Sequence, residues 1–245
     1  MNATTVDDLL TRSQRDDRTA LVDATGREYD RHWLCTTAWK AGNFLRHAGV
    51  REGVTVGVVG DGPLALEAFF GTTLLEGRTQ FDPETDLADR DDIRALVAPV
   101  DVLDRYDLPR GAQQVGYGDK PSQPGVHHFD AGLWSENPSF PPLAVDPETE
   151  LLTDGERAST HRSMLAAAQD VVDEYEIGHG DRVVVRAPLS EPRSIVAGVI
   201  APLLAGGAIV LTGAEEPDDD RGRYGVSSGS VPESQQIDLD AVVVP

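Results

Sequence analysis

The residues best placed to do chemistry lie at 153–162. Arg157, Thr160, His161 and Arg162 fall at the expected start of a helix, where free backbone N–H groups and the helix dipole hold anions. Thr153, Gly155 and Ser159 lie in the same stretch and complete a candidate anion- or nucleotide-binding site. The plainer reading, a Ser/Thr cap with solvated arginines, is the one these residue types favour. His127 and His128 with Asp130 offer metal-ligand chemistry, but no Cys or further His lies at ligand spacing, so a solvent-exposed histidine pair is expected. Asp218, Asp219 and Asp220 read as a solvated acidic turn rather than a cation site, and no metal is expected. Ser190, Glu191 and Arg193 stand in a break that Pro188 and Pro192 explain without chemistry. Cys35 has only His32 nearby to activate it, and reads as a helix-face residue. No residue is assigned a catalytic role.

These side chains need elements to position them, and the apolar pattern supplies two similar sets. In the first, Leu34, Ala38, Ala41, Leu45 and Ala48 recur at helical spacing behind Asp30 as N-cap. A turn ending at Gly53, a strand over Val54–Val59, a Gly-Asp-Gly-Pro break, a helix over Leu64–Glu76 and a short strand after Gly77 follow. In the second, Met164, Leu165, Ala168, Val171, Val172 and Tyr175 mark a helix. The turn Ile177–Gly180, the strand Val183–Val185, the break Pro188–Arg193, the helix Ile195–Ala205 and the strand Ala208–Leu211 complete it. Gly53 and Gly180 are 127 residues apart, Gly77 and Gly206 129, so the repeat is nearly in register.

Helix, strand, crossover helix and strand form the βαβ grammar of an α/β fold, and runs such as Val183-Val184-Val185 suit parallel strands covered on both faces. Two related βαβ units, at about 15–82 and 148–213, are expected to form layered, mostly parallel sheets flanked by helices, or one long sheet. They make up a domain over 1–213, with an irregular connection at 83–147. Within that connection the pattern predicts a short helix over Asp89–Val97, strands over Val100–Leu103 and Gln114–Tyr117, and a proline-rich loop or linker from Lys120 to Pro147. Residues 214–245 read as a tail. Its Ser/Gly-rich acidic part, beginning at Gly213 and running to Gly229, is expected to be mobile, and Ile237–Val244 is expected to add an edge strand.

Composition narrows the setting. The 245 residues carry 42 acidic and 21 basic side chains, for a net charge of −21. Such a surface repels nucleic-acid phosphates and anionic lipid headgroups, so neither nucleic acid nor membrane is an expected partner. Lys40 and Lys120 are the only lysines; the other basic residues are arginines. Excess carboxylate, scarce lysine and an intact apolar pattern are what a halophile's cytoplasm favours, where about 1 M salt shortens the screening length to about 3 Å. An acidic protein of a low-salt, high-GC organism is the plainer alternative. One cysteine and an N-terminus without a basic or apolar stretch fit a cytoplasmic protein. The uncharged stretch Ile195–Leu211 is marginal as a membrane span and is broken by Pro202 and Gly206-Gly207.

The wording of the turns also resembles a known family. The stretch from Ala20 to Arg27, the helix end Leu45–Gly53 and the strand Val54–Val59 look like the N-terminal region of adenylate-forming enzymes: acyl-CoA synthetases, luciferases and nonribosomal-peptide adenylation domains. Thr160–Ala168 resembles the helix after that family's phosphate loop, and Ala201–Leu211 a helix-to-strand turn downstream. The likeness covers about residues 15–213 and implies the N-terminal α/β domain of acyl-CoA synthetases, here in a haloarchaeal setting.

The resemblance implies ATP bound by a Ser/Thr/Gly-rich loop ending in lysine, yet Leu151–Ser159 is shorter, with one glycine and no lysine. Asp154 and Glu156 would meet phosphate with like charge, at about 4 kcal/mol per pair at 4 Å and an effective dielectric of 20. The family's adenine-binding, hinge and catalytic-lysine segments find no match in 214–245. The expectation is therefore a truncated, non-catalytic relative without cofactor, serving as binding or regulatory partner to a second copy or a full-length acyl-CoA synthetase. The alternative is a ligase-related enzyme or subunit that binds ATP, AMP, acyl-adenylate or CoA.

Overall fold

The computed structural model describes residues 3–141, 143–213 and 219–244. After 3-10 turns at Val6–Leu10 and Arg12–Gln14, the first half runs β1 (Thr19–Val22), β2 (Glu28–Asp30), α1 (Arg31–His47), β3 (Thr55–Val58), α2 (Pro63–Thr73), β4 (Arg78–Phe81), β5 (Ile93–Pro99), β6 (Gln113–Tyr117), β7 (His127–His128) and α3 (Phe129–Ser135). The second half repeats the plan: β8 (Glu150–Thr153), β9 (Ala158–Thr160), α4 (His161–Tyr175), β10 (Arg182–Val185), α5 (Pro192–Ile195), a π-helical turn over Val196–Ile200, α6 (Ala201–Ala205), β11 (Ala208–Leu211), β12 (Tyr224–Ser227) and β13 (Gln235–Asp238).

Two sheets result, ordered β13-β12-β10-β11-β1-β2 and β7-β6-β5-β3-β4-β8-β9. All neighbours are parallel except within the hairpins β1–β2 and β8–β9. Each hairpin has crossed to the other half's sheet: β1 pairs with β11 through Leu21–Ile209, and β8 with β4 through Thr79–Leu152. The repeat legible in the sequence is thus a reciprocal exchange. Neither half closes its sheet without the other.

The elements form where the residue pattern places them. Asp30 caps α1, its carboxylate accepting from Trp33 N at 2.6 Å. Gly71 lets α2 pack close to α1, since a Cβ there would lie 2.7 Å from that of Ala41. One hydrophobic core runs through both halves, from Leu34 and Phe69 to Val183 and Ile200.

The connections depart from expectation. Residues Asp89–Val97, expected to be helical, feed β5; its buried apolar run pairs with β3 and β6, and that pairing selects the strand. Val100–Leu103 is a turn entering the 3-10 segment Leu103–Arg105, and Lys120–Pro147 contains β7 and α3. Within the stretch expected to be mobile, Tyr224–Ser227 is an internal parallel strand beside β10, while residues 214–218 lie outside the described residues. The edge strand is Gln235–Asp238, two residues ahead of the expected start. Ile195–Leu211 divides among helix, turn and strand, and no helix among the described residues is long and apolar enough to cross a membrane.

Candidate functional site

The stretch singled out in the sequence folds as the tight β8–β9 hairpin followed by the start of α4. Its four-residue turn uses up its own donors. Asp154 N donates to Arg157 O at 3.1 Å, and Gly155 N to Thr153 Oγ1 at 3.0 Å. Glu156 N and Arg157 N both donate to Asp154 Oδ1, at 2.9 and 2.7 Å. These backbone N–H groups, led by that of Arg157, hold the Asp154 carboxyl below its ordinary range. Phosphate-binding loops direct such N–H groups outward at an anion. Here the anion is a side chain of the loop itself.

The remaining predicted residues divide. Gly155 takes φ +100°, and a Cβ on it would meet Gln80 Nε2 at 3.0 Å. The Arg157 guanidinium is 88% exposed, 3.9 Å from Asp154. Ser159 pairs across the hairpin with Leu152. Thr160 caps α4, its hydroxyl accepting from Ser163 N at 3.2 Å while Ser163 Oγ accepts from Thr160 N at 3.1 Å. Arg162 pairs with Glu148. His161 is fully buried and turned inward: its Nδ1 accepts from Val6 N at 3.0 Å, which puts the ring proton on Nε2, where none of the described residues accepts it. Burial lowers its pKa to about 4, so it is neutral. The structure therefore brings Thr153, Gly155, Arg157 and Ser159 together and takes His161 away from them.

The hairpin forms one wall of a cleft of about 710 Å³, with Ser190, Glu191 and Arg193 opposite and Val242–Val244 closing a side. Arg193 is committed to Glu191 at 2.8 Å, to Leu239 O at 3.1 Å and to Asp240 at 3.4 Å, and it lowers the Glu191 pKa. The cleft thus sets two carboxylates, Asp154 and Glu191, against two guanidiniums, of which Arg193 is held by several bonds and Arg157 only by its 3.9 Å pairing with Asp154. Sequence reading missed the wall made by Val242–Val244, because only the tertiary fold brings it there. It also missed a smaller cleft of about 350 Å³ between the C-terminal ends of the strands, where Asp61 and Asp82 face Arg186 and Leu189. Burial and the nearby Asp61 raise the Asp82 carboxyl.

The other candidates do not assemble. Cys35 is buried, its thiol pushed up to about 12 by desolvation, which leaves no thiolate. His128 lies 3.5 Å from Asp130, and no group of three or more metal-ligating side chains occurs among the described residues.

This architecture is the fold of the N-terminal domain of acyl-CoA ligases. Similar solved structures include the anthranilate CoA ligase AuaEII in complex with anthranoyl-AMP (TM-score 0.77, 20% identity, 91% of this chain and 49% of that one). A benzoate CoA ligase from Burkholderia xenovorans LB400 gives 0.75, 19%, 91% and 50%, and MatB from Rhodopseudomonas palustris 0.73, 15%, 92% and 49%. The chain spans about half the length of these structures. No family model and no curated protein sequence matches it.

Proposed function

We propose that this acyl-CoA-ligase-like chain is non-catalytic and acts as a binding or regulatory partner in acyl metabolism, in the cytoplasm and without ATP as cofactor. The observation that carries this reading is the closed turn. All four backbone N–H groups of residues 154–157 are bonded inside the hairpin, and two of them hold the Asp154 carboxylate. Phosphoryl and adenylyl chemistry depends on donors and cations preset around a polyphosphate. Here phosphate would have to displace a covalently tethered anion and then sit beside it. The partner we favour is a second copy or a full-length acyl-CoA synthetase; the charge of −21 argues against nucleic acid.

A second reading rests on the 710 Å³ cleft and the exposed Arg157, which suit a ligand of nucleotide size. Under it the chain binds AMP, an acyl-adenylate or CoA and contributes to ligation. Pyrophosphate exchange with benzoate and ATP, run beside sedimentation of the purified chain in about 2 M KCl to screen its self-repulsion, separates the two. No exchange, with a dimer or a co-purifying synthetase, is expected. Exchange above background overturns the non-catalytic reading.

A further inference from the structure

A cleft of about 490 Å³ that shares no lining residue with the one beside the hairpin lies between the N-terminal 3-10 turn, α1, the end of α2, residues 139–141 and Leu143. One part of its wall is apolar. Leu10, Trp39 and Leu74 are buried, and Trp39 Nε1 donates to Leu10 O at 2.9 Å, which sets the ring plane. Phe140 closes the other side over Gly42, where a Cβ would lie 2.7 Å from its ring; the Arg46 guanidinium stacks on that ring at 4.7 Å. Leu143 packs against the same core.

Into this lining the fold places Asp7, only 8% exposed, and its Oδ1 has no hydrogen-bond partner among the described residues. A carboxylate oxygen shut away from water and left unbonded is costly; burial raises the Asp7 pKa, a hydrogen bond from the Thr5 side chain opposes this in part, and the Asp8 charge adds to the rise. Asp8 spends its own Oδ2 on Thr4 N and Thr5 N, at 2.8 and 3.2 Å. The lining thus sets two carboxylates against the exposed Arg12, within a molecule of charge −21. The missing group is a compact cation with several donors, and the space beside it is apolar and aromatic.

We propose that this cleft binds a small apolar primary amine, its ammonium on the Asp7 carboxylate and its hydrocarbon or ring against Trp39, Leu74 and Phe140. An ammonium supplies the donor that Asp7 Oδ1 lacks, and a charge-assisted bond there is stronger than a neutral one. An alcohol of the same shape fills the space without providing that charge. A carboxylate is repelled.

Benzylamine and benzyl alcohol are the probes, titrated into the full chain carrying Trp33→Phe and Trp134→Phe so that Trp39 is the only fluorophore of its kind. The expected result is saturable quenching by benzylamine, at least tenfold tighter than by benzyl alcohol, with a rise in Tm. Asp7→Asn abolishes that preference and leaves the alcohol's affinity unchanged. Equal binding of amine and alcohol, binding of neither, or a preference that survives Asp7→Asn overturns the proposal. The amine–alcohol comparison needs no change at Asp7, so it decides the matter even if that variant fails to fold.

Discussion

Arg31 and His161 occupy the same place in the two halves of the chain. Each is the first residue of its helix, α1 or α4, 130 residues apart, and each is fully buried. Each also reaches out of its own half: Arg31 Nη2 donates to Leu203 O at 2.8 Å, and His161 Nδ1 accepts from Val6 N at 3.0 Å. This reciprocity repeats in side chains what the exchanged hairpins do in backbone. The residue that the sequence offered as a phosphate contact is a structural tie.

A pH dependence follows for His161. Its folded pKa of about 4 lies below the ordinary 6.5, so the unfolded chain takes up a proton first as pH falls. Stability is therefore full above about pH 6.5 and is lost between there and pH 4, by about 3 kcal/mol in total. In His161→Gln, which keeps an acceptor, that part of the slope should vanish. Denaturant melts at pH 7, 5.5 and 4.5, with wild type and variant in the same salt, measure it.

Glu67 has the opposite sign. It is wholly buried on α2, neither oxygen has a partner among the described residues, and desolvation raises its pKa well above the ordinary 4.5. The native state holds this proton more tightly than the unfolded chain does, so the group's contribution to stability falls as pH rises past 4.5. Glu67→Leu should stabilise the protein at pH 7 by about 1–3 kcal/mol, the usual cost of a buried unsatisfied group. The gain should shrink towards pH 4.5. A Leu variant less stable than wild type at pH 7 would show that the carboxyl has a partner in solution.

Arg186 and Glu233 form an ion pair whose side chains are 5% and 0% exposed, at 2.6 Å. It fastens the loop before β13 to the end of β10. Glu233→Ala leaves a buried cation short of its carboxylate and should cost about 3–5 kcal/mol. Limited proteolysis should then cut first within 219–244. An unchanged melting temperature and digestion pattern would contradict the assignment.

The turn itself can be reopened. Asp154→Gly with Glu156→Lys frees the N–H groups of Glu156 and Arg157, removes two negative charges and adds the lysine that this loop lacks. Phosphate or pyrophosphate binding should appear in the double variant and be absent in wild type, at a stability cost of about 1 kcal/mol for the lost turn bonds. Binding that is equal in the two proteins would mean that Asp154 is not what closes the site.

Much of the fold was readable in advance, for physical reasons. The strands β3, β10 and β11 are uninterrupted buried runs, α1 and α4 carry clear helical stripes, and the Asp30 cap stands where its residue type suggested. The failures were short or non-local. In β5, Ile93-Arg94-Ala95-Leu96-Val97 has no period to separate strand from helix, and β12 is four residues whose partner lies about forty positions earlier. The hairpin exchange leaves no trace in either half alone. In the candidate site, the acidity of Asp154 was visible as like charge against phosphate. Its actual role, accepting two N–H groups from its own turn, depends on backbone direction that composition does not carry.

The closed β8–β9 turn is expected to hold no triphosphate. Calorimetric titration of the full chain with ATP in about 2 M KCl, where surface self-repulsion is screened, tests it most directly. No saturable heat up to millimolar ATP is the predicted result. A micromolar Kd for ATP, lost on Arg157→Ala, would contradict it.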